Sequence, residues 1–142
     1  LNRPDDEEKE IYISSKVYLI KDQDIFKIPD GTNLSTFKGN ITSNSSLTVL
    51  NGDKEITGNS EKIKTGMKLK LENGKEYELI VRGDINCDSK VSLTDLSKLI
   101  LHYNEKKGFI LIGSALKAAD LSCDGKVSLV DVSQMLVLYN SK

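Results

Sequence analysis

The chain of 142 residues has no tryptophan, one histidine, two cysteines and two prolines. A single imidazole cannot build a histidine metal site. His102 lies in an apolar helical run with no nucleophile and orienting partner around it, so it reads as structural. Cys87 and Cys123 are too few for a disulfide framework and too far apart in sequence for a CxxC redox or zinc motif. They would bond to each other only if their Cα atoms came within about 7 Å, so free thiols are expected. An excess of one charge is missing too. The formal net charge is −1, with 29% charged residues. That leaves neither the basic footprint of a nucleic-acid binder nor a polybasic membrane patch. No apolar run approaches the ~20 residues that span a bilayer. No signal-peptide pattern stands at residue 1. Neither nucleic acid nor membrane is therefore an expected partner. The opening LNRPDDEEKE is polar; residues 1–8 read as a linker, and the chain is expected to be the C-terminal part of something larger.

What is present changes character near residue 82. Before it, short β-branched and alternating stretches bounded by turn residues predict strands: Glu10–Ile20, Asp24–Ile28 and Ser46–Leu50. Met67–Leu71 and Glu76–Val81 flank Asn73-Gly74, a dipeptide suited to a tight type I′ hairpin turn. Met67, Leu69 and Leu71 alternate against Tyr77, Leu79 and Val81, which turns one face inward. A short helix is expected over Leu34–Gly39, capped by Thr32 or Asn33. Residues 9–82 thus read as a small β-rich module with one helical turn, and no residue cluster in it suggests chemistry.

After residue 82 the chain repeats itself. GDINCDSKVSLTDLSKLILHYN and ADLSCDGKVSLVDVSQMLVLYN align without a gap. Asp84, Cys87, Asp88, Lys90, Ser92 and Asp95 fall opposite Asp120, Cys123, Asp124, Lys126, Ser128 and Asp131. A connecting helix is expected near Ser114–Ala119. Each repeat sets oxygen-bearing residues at alternating positions of a twelve-residue loop, then opens a helix. In the first, Asp84, Asn86 and Asp88 take positions 1, 3 and 5, the Lys90 carbonyl position 7, Ser92 position 9 and Asp95 position 12. In the second, the series is Asp120, Ser122, Asp124, the Lys126 carbonyl, Ser128 and Asp131. Alternation in a curled loop aims successive oxygens at one centre, and a hard cation of calcium's size takes about six to eight of them. Two Ca²⁺ ions are therefore expected. The closing residue is Asp where an EF-hand has Glu. Gly125 at position 6 becomes Ser89 in the first loop, and Ser122 replaces Asn86 in the second, so the second site is expected to bind more weakly.

With Asp at position 12, two loop-helix repeats and no helix before Asp84, residues 83–142 resemble the dockerin family. The resemblance implies a non-catalytic module that docks a cohesin module of a scaffoldin or cell-surface protein. It also implies a secreted, extracellular, cell-surface-associated parent, such as a bacterial carbohydrate-active enzyme or another surface protein, in a cellulosome-like complex. Residues 9–82 are loosely similar to the immunoglobulin-like X modules that precede some dockerins. The expected fold is two small domains: an N-terminal β-rich, immunoglobulin-like or X-module-like domain and a C-terminal all-α dockerin.

Helical spacing assigns Leu96, Leu99 and Tyr103, with Val132, Met135 and Tyr139, to a core. The resemblance assigns cohesin recognition to Leu93, Thr94, Ile100 and Leu101, and to Leu129, Val130, Leu136 and Val137. Mostly aliphatic, these suggest a type II-like interface, although some of them would be core in a module this small. Because both repeats carry the stripe, two docking orientations are conceivable. An exposed stripe would mark an interaction surface. A stripe covered by residues 1–82 would instead fit a calcium-stabilised structural stalk without a cohesin partner. Arg82-Gly83-Asp84 spells an integrin-type tripeptide, but Asp84 is already assigned to the loop. The sequons at Asn33, Asn40 and Asn44 read as polar surface turns.

Overall fold

The computed structural model describes residues 10–105, 107, 108 and 110–141. The expected linker 1–8 lies outside them. The short strands β1 (Ile13–Ser14) and β4 (Thr42–Ser43) pair with each other. A six-stranded sheet contains β2 (Leu19–Lys21), β3 (Asp24–Ile28), β8 (Glu76–Val81), β7 (Lys68–Leu71), β5 (Leu47–Asn51) and β6 (Lys54–Ile56), in that spatial order. Its neighbours are antiparallel except β3 and β8, which run parallel. The helices are α1 (Leu34–Gly39), α2 (Leu93–Tyr103), α3 (Gly113–Ala119) and α4 (Leu129–Asn140). Among the described residues no helix is long and apolar enough to cross a membrane.

The expected strand Glu10–Ile20 is broken. The Ser15 hydroxyl accepts from the Val17 and Tyr18 amides at 3.1 and 3.0 Å, a local turn that competes with the ladder. The α1 helix has the expected bounds, with Asn33 as its cap: the side chain accepts from the Thr36 amide at 2.8 Å. The expected β7–β8 hairpin forms, with Leu69 opposite Tyr77. Its turn differs from the expected type I′. Only Gly74 has a positive φ, +89°, and Asn73 does not. The Gly74 amide donates to the Leu71 carbonyl and the Leu71 amide to Lys75, both at 2.9 Å. This is a type I turn closed by a left-handed glycine.

Two apolar clusters form. The first fills one face of the sheet with Ile25, Ile28, Val49, Leu69, Leu79 and Val81 under α1. Ile25 and Ile28 would face opposite sides of a regular strand. Lys27, at φ +67°, is the extra residue of a bulge that returns both to the core. The second cluster joins Leu96, Leu99 and Met135 to Ala118, Ala119 and Leu121. It also contains Ile80 of β8, and Phe26 of β3 packs against it.

That composition corrects the expected fold. The C-terminal region is not an all-α unit, because the reverse face of the sheet closes its core. A row of polar contacts reinforces the junction. Ser114 of α3 donates to Glu78 at 2.6 Å, and Lys117 donates to Glu78 and Asp24 at 2.8 and 2.9 Å. Burial raises the Glu78 pKa, but the bonds from Lys117 and Ser114 outweigh it and hold the carboxyl below its ordinary value. The N-terminal region is not the expected immunoglobulin-like arrangement either. A mixed six-stranded sheet with an internal parallel pair, β3 and β8, and the separate two-stranded β1–β4 pair stand where two facing antiparallel sheets would be. The physical reason is β8, whose two faces are both buried: Tyr77, Leu79 and Val81 lie on one core and Ile80 on the other.

Candidate metal-binding loops

β8 ends at Val81, and the chain turns at once into the first loop. Gly83 makes that turn at φ +79°. Asp84 is fully buried. Its Oδ1 accepts from the Asp88 amide at 2.9 Å, and its Oδ2 from the Ser89 and Thr65 amides at 2.9 and 3.1 Å. Asp95, also fully buried, returns from the first turn of α2. Its Oδ1 accepts from the Ile85 and Asn86 amides at 2.9 and 3.0 Å, and its Oδ2 from the Ser92 amide and hydroxyl at 2.8 and 3.2 Å. Asp95 therefore closes the loop and forms the capping box of α2 with Ser92. Asp88 Oδ1 accepts from the Lys90 amide at 3.0 Å, and the Asn86 side-chain amide donates to Asp88 at 3.2 Å.

The second loop repeats the plan. Asp120 accepts from the Ser122 hydroxyl and the Asp124 amide on Oδ1, at 3.2 and 3.3 Å, and from the Gly125 amide on Oδ2 at 2.9 Å. Buried Asp131 accepts from the Ser122 and Ser128 amides at 2.8 and 2.7 Å, and it completes the capping box of α4. Asp124 accepts from the Lys126 amide at 3.1 Å.

The geometry brings two carboxylate triads together. Ligand oxygens of Asp84, Asp88 and Asp95 lie within 4.8 Å of one another, and those of Asp120, Asp124 and Asp131 do the same. Like charges so close disfavour ionisation. Burial is the main cause that pushes Asp84 up to about 6, against the opposing pull of the Thr65, Ser89 and Asp88 amides. Burial likewise raises Asp95 and Asp120. Asn86 Oδ1 is buried and has no hydrogen-bond partner among the described residues. An orphaned acceptor beside three converging carboxylates fits a hard, oxygen-seeking cation.

The loop backbone is strained at both cysteines. Cys87 and Cys123, at position 4, have φ of +62° and +59°, and Ser89 at position 6 has +71°. These are left-handed conformations that glycine adopts without strain. Both thiols are free, and burial is the main cause that raises their pKa values. Ser89 is 2% exposed, and its hydroxyl has no partner among the described residues. Ser89→Gly removes the left-handed strain and the unpaired hydroxyl while leaving the carbonyl that accepts from Gly31. The substitution should stabilise the chain by about 1 kcal/mol net of glycine's backbone entropy, read from the urea midpoint. A lower midpoint would contradict this.

Leu93, Leu129, Val130 and Val137 are 60, 61, 54 and 72% exposed. Thr94, Ile100 and Leu136 are exposed as well, and Leu101 is half-buried. Residues 10–82 leave this stripe uncovered. Leu96, Leu99 and Met135 are core as expected, with Val132 and Tyr139 packed against them. Tyr103 is not: at the last turn of α2 it is 40% exposed, whereas Leu138 packs against the core. His102 Nδ1 accepts from the Leu111 amide at 2.9 Å and ties down the chain after α2.

Two features go beyond the sequence expectations. The capping boxes had a signal, the Ser-x-x-Asp spacing at Ser92 and Ser128. Thr65 had none, because it meets Asp84 only through the fold. Residues 82–136 match the family model described as dockerin type I domain. The type I description gives no support to the type II-like reading, and the match does not reach the region compared with X modules. No curated protein and no solved structure matches the chain.

Proposed function

Residues 82–136 are a dockerin type I domain, and from that premise we propose that the chain anchors a secreted parent protein, such as a carbohydrate-active enzyme or a surface protein, to a cohesin module outside the cell. A dockerin domain is a non-catalytic, calcium-binding module that docks cohesins. The observation that carries the finer reading is the same acidic triad recurring at the same place in both repeats, each closed by the first turn of a helix. One ion would be held by Asp84, Asn86, Asp88, the Lys90 carbonyl, Ser92 and Asp95. The other would be held by Asp120, Ser122, Asp124, the Lys126 carbonyl, Ser128 and Asp131. Calcium would supply the positive charge that lets three carboxylates converge, which couples metal binding to loop folding. The helices so fixed would present Leu93, Thr94, Ile100 and Leu101 with Leu129, Val130, Leu136 and Val137 to the cohesin. That this apolar stripe is uncovered supports docking over a structural stalk.

Calorimetric titration against a panel of cohesins tests the proposal. Tight binding in calcium should vanish with chelator, and binding that survives complete calcium removal would contradict it.

Affinity for calcium should also depend on pH. With its pKa raised from 3.8 to about 6, Asp84 stabilises the metal-free fold fully below the unfolded value. That stability is lost as pH rises through about 6. Calcium must displace the same proton, so its affinity moves the other way. First-site affinity should fall about tenfold between roughly pH 7 and pH 5. An affinity unchanged over that range would show that Asp84 is ionised throughout.

A further inference from the structure

The carboxylate that opens the first loop is held partly from outside it. Thr65 precedes β7 and is 4% exposed. Its amide donates to Asp84 Oδ2 at 3.1 Å. Its hydroxyl accepts from the Val81 amide at 3.1 Å and donates to the Val81 carbonyl at 3.2 Å. That carbonyl also accepts from the Asp84 amide at 2.9 Å. Thr65 therefore fixes both the turn that delivers Asp84 and the direction of its carboxylate. The loop after β3 adds a second brace, the Gly31 amide donating to the Ser89 carbonyl at 3.1 Å. The Asp120 carboxylate has no equivalent: among the described residues its hydrogen bonds come from Ser122, Asp124 and Gly125 of its own loop.

We propose that Thr65 is a positioning residue of the first cation site, so that the sheet region completes this site and leaves the second to organise itself. The inference rests on the calcium reading above. Orienting a carboxylate before the ion arrives removes part of the ordering cost of binding. The duplicated loops are thereby unequal for a reason additional to their ligands.

A calcium titration of the full chain followed by NMR separates the two sites. The Ser89 and Gly125 amides are matched reporters, each donating to the first aspartate of its loop at 2.9 Å. Thr65→Val should raise the calcium midpoint read at Ser89 about tenfold and leave that at Gly125 in place. Thr65→Ser, which keeps the hydroxyl, should restore the wild-type midpoint. Midpoints that shift together, or not at all, overturn the inference while leaving the calcium reading intact. If neither amide of the wild-type chain responds to calcium, both fall. Hydrogen exchange on the wild-type chain gives a measurement free of folding defects. Protection of the Thr65 amide should persist on chelation, because it holds Asp84 before the ion arrives; a Thr65 amide that exchanges freely in chelator while protected in calcium overturns the inference.

Discussion

Asp95→Ala should lower folding stability in calcium by about 3–5 kcal/mol, more than the same change at Asp131. The carboxylate accepts from three backbone amides and one hydroxyl, and it is fully buried. Alanine offers no acceptor, so the Ile85, Asn86 and Ser92 amides lose their partner together. The cap of α2 goes with them, and so does the closing oxygen of the proposed first site. Asp131 accepts from the Ser122 and Ser128 amides, so fewer donors are orphaned there. Relief of repulsion from Asp84 and Asp88 offsets part of the loss, most clearly without calcium. Urea unfolding of both variants in calcium checks the ranking; an Asp131 variant equally or more damaged would contradict it.

Gly83→Ala should lower stability by about 2–4 kcal/mol, through strain and overpacking together. The φ of +79° is one that an L side chain adopts only under strain. A Cβ there would lie 3.1 Å from Val91 Cγ2 and 3.2 Å from both Leu138 Cδ2 and Met135 Sδ. Met135 is fully buried, so it has little room to yield. The Gly83 amide also donates to the Ala118 carbonyl at 3.1 Å, which ties the pivot to α3. Because the turn delivers Asp84, calcium affinity at the first loop should fall with stability. Thermal unfolding with and without calcium tests this; an alanine variant within about 0.5 kcal/mol of wild type would show that the turn relaxes freely.

Local signals were legible in the sequence where one short window determines the structure. The alternation through Met67–Leu71 and Glu76–Val81 fixes both strands and the buried face. Asn33 before an apolar turn fixes the start of α1. The duplicated Asp spacing identifies both triads, because an alternating loop that opens a helix has few ways to fold. Signals failed where a competing contact decides the outcome. The Ser15 hydroxyl breaks a strand that β-branched residues favour. At Asn73-Gly74 the pair selects a hairpin, but three loop residues rather than two set the turn type. Tyr103 has helical core spacing and still reaches solvent at the end of α2. The largest miss is the reverse face of the sheet. Ile80 and Phe26 read as strand residues, and nothing local says that their far side packs on the helices. Thr65 is hidden for the same reason, since its partner stands 19 positions away.

We propose that each of the duplicated loops holds one calcium ion and that binding orders the helices that dock the cohesin. The most direct measurement is an equilibrium calcium titration of the full chain, with ions counted calorimetrically and loop amides followed by NMR. Two ions should bind, and on stepwise chelation the Asp120–Asp131 loop should empty before the Asp84–Asp95 loop. A chain that binds no calcium and keeps both helices equally protected in chelator would rule out calcium-ordered docking.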